Sequence, residues 1–85
     1  MREVPWQLVT ADLYAWLRVI RDTRESVVLV ATDGTRLVDL LPKPRGGILL
    51  RRLVDTTLAV LVAERVELLL SELTEGDHAD DRAGR

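Results

Sequence analysis

Along the first third of the chain, apolar residues recur with a helical period. Leu13, Trp16, Leu17 and Ile20 stand at i, i+3, i+4 and i+7, the spacing that lines one face of an α-helix. Thr10 as N-cap and Asp12 in the first turn, where the helix dipole favours a carboxylate, predict one helix of about three turns. Arg18, Arg21 and Asp22 fall on its wet side. Ahead of it, Pro5 fixes its own φ and biases Val4 toward extended geometry, so residues 3–6 are expected as a short edge strand.

The period then changes. Val27-Val28-Leu29-Val30-Ala31 is a β-branched run without polar alternation, which predicts a strand covered on both faces. Asp33-Gly34 signals a type I′ hairpin turn, in which both central residues take φ > 0. The returning strand, residues 35–41, stops at Pro42, which has no N–H for a ladder.

Lys43-Pro44-Arg45-Gly46-Gly47 reads as a linker, and from Ile48 a helical pattern runs to Leu73. Two apolar stripes lie on it. One holds Leu50, Val54, Leu58, Leu61 and Leu68, the other Leu58, Val62, Val66, Leu69 and Leu73. A helix resting on its own domain needs one stripe, so the second predicts a partner. The expected fold class is α+β: short strand, helix, antiparallel β-hairpin, then a long C-terminal α-helix, in a homodimer. Residues 1–44 form the expected dimerising module, with Val27, Leu29 and Leu37 at the dimer interface. Residues 45–74 form the partner-binding helix, and residues 75–85 a disordered acidic tail.

Composition narrows the function classes. At 85 residues the chain buries a modest share of its surface, and 47% hydrophobic content without Phe leaves Leu, Val and Ala to build the core. The absence of Cys excludes disulfides and thiolate metal sites, and His78 alone makes no zinc site. The formal charge of −2 is accounted for by residues 75–85 alone, so the rest is balanced and nucleic acid could meet only a local patch or an oligomeric surface. The N-terminus lacks a signal-peptide pattern, and the charge-poor stretch 56–63 is too short to span a membrane, so a cytoplasmic location is expected.

No nucleophile is paired with a base, and the carboxylates are scattered, so no enzyme activity and no cofactor are expected. Lys43, Arg45, Arg51 and Arg52 could bind an anion at a helix start, although a solvated linker explains the same residues. Trp16 belongs to the apolar face of the first helix and reads as core.

The order of elements resembles the N-terminal module of the prevent-host-death (Phd/YefM) antitoxins. VPWQLVTADLYAWLRVI followed by VVLVATDGTRLVDLLP carries the likeness, through Leu13 and Leu17, Val27 to Leu29, Gly34, and Leu37, Val38, Leu40, Leu41 and Pro42. That resemblance implies dimerisation through the N-terminal half and a C-terminal helix that inhibits a small toxin, here through Leu58, Leu61, Val62, Val66, Leu69 and Leu73. It also implies an operator-DNA surface, which in this chain would draw on Arg2, Arg36, Lys43 and Arg45. A homo-oligomeric interaction module without toxin or DNA is the alternative reading.

Overall fold

The computed structural model describes the backbone of residues 1–83 and the side chains of residues 1–72. Leu73, His78 and the acidic residues expected in the tail therefore lie outside the described side chains. The elements are β1 (Arg2–Pro5), α1 (Trp6–Ala11), α2 (Leu13–Thr23), β2 (Val27–Val30), β3 (Arg36–Pro42), β4 (Ile48–Arg52) and α3 (Thr57–Ala83).

The class is α+β as expected, but the order differs from the expected one at three places. A short helix, α1, precedes the expected one and takes Trp6 from the expected strand; Asp12, whose extended backbone (φ −148°, ψ 70°) ends α1, accepts the Ala15 amide on its Oδ1 at 3.3 Å. Asp12 is thus the N-cap of α2. Thr10, expected in that role, instead donates its hydroxyl to the Trp6 carbonyl at 3.0 Å.

The second difference is the larger one: residues 48–52 are a strand. The segment expected as a linker is a hairpin loop, in which the Gly46 amide donates to the Lys43 carbonyl and the Lys43 amide to the Gly47 carbonyl, both at 3.1 Å. Pro44 suits the second position of the turn, and Gly46, at φ +90°, supplies the left-handed residue that closes a three-residue loop. β4 then pairs antiparallel with β3, Leu40 opposite Leu50 and Asp39 opposite Arg51.

Thirdly, α3 starts at Thr57 rather than Ile48. The Thr56 hydroxyl accepts the Ala59 amide at 3.2 Å, the geometry of an N-cap.

The Asp33-Gly34 hairpin exists, but with a different turn. Gly34 donates to the Ala31 carbonyl and Ala31 to the Thr35 carbonyl, both at 2.9 Å, and of the two turn residues only Gly34 has positive φ. This is the same three-residue loop as in the β3–β4 hairpin, not type I′. Asp33 Oδ1 accepts the Thr35 amide at 3.0 Å. Hydrogen bonds from Thr35, its side chain first and its amide second, hold the Asp33 carboxyl below its ordinary value. A depressed carboxyl pKa supports the fold at higher pH, and that support is lost as pH falls through it.

Strand order is β1-β2-β3-β4, with β1 parallel to β2 and the rest antiparallel. All three helices pack on one face. Val9 of α1, Leu13 and Ile20 of α2, and Ala59, Val62, Ala63 and Val66 of α3 share a single core with Val4, Val27, Leu29, Val38 and Leu40. Strand alternation sends Glu3, Val28, Asp39 and Arg51 to the other face, where register places them in one row across the four strands. No helix covers that second face among the described residues.

Candidate functional site

The C-terminal half of α2 carries Arg18, Arg21 and, just past its end, Arg24. Cations there complement the helix dipole. Arg24 caps the helix in the left-handed conformation (φ 60°), donating its amide to the Ile20 carbonyl at 2.8 Å. Glycine is the usual residue in that position, because a Cβ is strained there.

The β3–β4 loop folds toward the same region. Between it and α2 lies an open groove of about 670 Å³, with Tyr14, Leu17, Pro42, Ile48 and Leu70 as its apolar and aromatic lining. Arg18, Arg21, Arg24 and Lys43 line it as well, beside Gly46 and Gly47, and no carboxylate does. None of these four cations makes an ion pair among the described residues, where the pairs are Arg36–Glu3, Arg51–Asp39 and Arg52–Asp55.

The expected DNA-contacting cations do not form one surface. Arg36 is bound to Glu3 at 2.7 Å at the start of β3, while Lys43 and Arg45 stand at the opposite end of that strand. Seven residue steps of extended chain separate Arg36 from Lys43, roughly 23 Å at the usual strand rise. Of the four, Lys43 alone lines the groove. From the sequence, Arg18 and Arg21 fall only on a wet helix face, and Arg24 carries no expectation. Their three-residue spacing was the available signal, but its meaning depends on the loop opposite, which the sequence disguises as a linker.

The expected partner-binding set divides in the same way. Val62 and Val66 are buried in the chain's own core, and Leu58 and Leu69 are half-buried against it. They are corrected from surface to core, because α3 must cover β3 and β4. Leu61 remains on the surface at 56% exposure, with Leu68 one heptad on at 51%. The expected dimer contacts Val27, Leu29 and Leu37 are each at most 1% exposed within the single chain, so they are core residues as well.

On the second face of the sheet, the Asp39 side chain is 2% exposed. Its Oδ2 accepts from Arg51 at 2.9 Å, while Oδ1 is buried without a hydrogen bond. Val28 beside it is fully buried although no helix lies over it. In register, Glu3 of the Glu3–Arg36 pair stands beside it on β1 and Asp39 of the Asp39–Arg51 pair on β3.

Among the described residues, no group of three or more His, Cys, Asp or Glu converges as a metal would require. No described helix is long and apolar enough to cross a membrane. Compared with known proteins, the chain matches no family model, no curated protein and no solved structure.

Proposed function

We propose that this chain is an antitoxin-like binding protein that holds a small protein partner on the outer side of α3. The observation that carries this reading is the pair Leu61 and Leu68, exposed on a helix whose opposite side is already committed to the core. Large apolar side chains repeated at helical spacing and open to solvent form the face that a helix-in-groove contact uses. Inhibition would be steric, the helix covering the partner's working surface. The likeness of the N-terminal half to the prevent-host-death module supports the same assignment.

Co-expression with the product of the adjacent gene tests it. A protein that arrests growth alone and is silenced by this chain, with silencing lost in a Leu61→Lys/Leu68→Lys variant that still folds, is the expected result. Unchanged silencing by that variant would remove α3 from the contact.

A homo-oligomeric module is the second reading, and the helix-free sheet face with its exposed Leu49 favours it. Sedimentation of the isolated chain decides between them: a dimer dissociated by Leu49→Lys supports the second reading.

A further inference from the structure

The groove between α2 and the β3–β4 loop has a chemistry of its own, separate from the outer face of α3. Each of its charged side chains is a hydrogen-bond donor, and the Tyr14 hydroxyl is its one neutral polar side-chain group. A ligand for such a lining must be rich in acceptors and negative charge. Guanidinium forks match phosphate oxygens in pairs, and three arginines with one lysine line this recess.

A second observation points the same way. Arg24 occupies a left-handed position where glycine is the relaxed choice, so its backbone is strained. The same residue lines the groove. Strain held at a residue that also completes a cluster of unpaired cations is the pattern of a binding position.

The apolar part of the lining and the exposed Tyr14 ring add a place for an aromatic group. The volume of about 670 Å³ falls in the range of small-molecule sites. We infer that this groove binds an organic phosphate of the nucleotide class, with Arg18, Arg21, Arg24 and Lys43 on the phosphates and Tyr14 against the base. Lys43, on the loop across from the three arginines of α2, turns their row into a two-sided recess, which favours a compact ligand over a nucleic-acid duplex.

The test is a titration of the isotope-labelled full-length chain, followed by amide chemical shifts, with ATP, inorganic pyrophosphate and a short DNA duplex in parallel. Saturable ATP binding centred on Tyr14, Arg24 and Gly46-Gly47, tighter than pyrophosphate, is expected. Arg21→Glu/Lys43→Glu should weaken it by at least about tenfold, since each reversal replaces an attraction with a repulsion. All four cationic side chains are exposed, so the fold should tolerate the change. Arg24→Gly supplies the second variant: it relieves the backbone while deleting one cation, so thermal stability should hold or rise as ATP affinity falls. Absence of saturable ATP binding, affinity indifferent to both variants, ATP binding no tighter than pyrophosphate, or duplex DNA bound more tightly than ATP through these residues would each overturn the inference.

Discussion

The two faces of the sheet are built from the same four strands by opposite means. One is closed by three helices, with Val4, Leu29, Val38 and Leu40 in a continuous apolar core. The other buries Val28 and Asp39 with no helix above them, between the Glu3–Arg36 and Asp39–Arg51 pairs. Long arginine stems can cover apolar surface while their charged ends stay wet. Burial of a strand residue is therefore not evidence of a second layer, and a run such as Val27-Val28-Leu29 can be buried on both sides of a sheet that is covered on one.

Matched truncations give the sharpest contrast. Leu40→Ala, on the helix-covered face, should cost about 2–5 kcal/mol, as buried leucine truncations do. Leu49→Ala, half exposed on the other face, should cost well under that, within about 1 kcal/mol, in denaturant melts. Equal losses would mean that the second face is also covered in solution, by another molecule.

The Asp39–Arg51 pair is expected to come next. Arg51→Met leaves a buried carboxylate without its donor and should destabilise by about 1–3 kcal/mol. Asp39→Leu removes the charge with its need for a partner and should be close to neutral or stabilising by the same measurement. A large loss from Asp39→Leu would show that the carboxylate has a further role at this face.

The smallest effect belongs to Glu3→Gln. Its pair with Arg36 is about half exposed, so the change should cost at most about 1 kcal/mol and fade as salt is raised. A salt-independent loss would indicate that the pair is shielded from solvent.

The helix that packs on the sheet was legible from its period: Leu13 and Ile20 are buried, and Trp16 and Leu17 are half-buried against the core. So was the first hairpin, because a β-branched run before Asp-Gly has few other solutions. β4 was not. Ile48-Leu49-Leu50-Arg51-Arg52 places two leucines and two arginines side by side, which blurs alternation, and Leu50 with Val54 and Leu58 imitates a helical stripe. Arg52 stands opposite Val38 in register, yet its guanidinium reaches out to Asp55 at 2.7 Å, so a polar residue occupies a position where period-two reasoning expects an apolar one. Misplacing β4 also hid the groove, since its rim is the loop that β3 and β4 share.

The two matching three-residue loops also set an order of assembly. Each closes a hairpin between chain neighbours, so β2, β3 and β4 can zip together at little loop-closure cost. The parallel β1–β2 pairing must instead wait for two helices to be placed between its strands. Folding should therefore begin in the meander and finish with β1, and a substitution that weakens β1, such as Val4→Ala, should hasten unfolding while leaving the folding rate nearly unchanged.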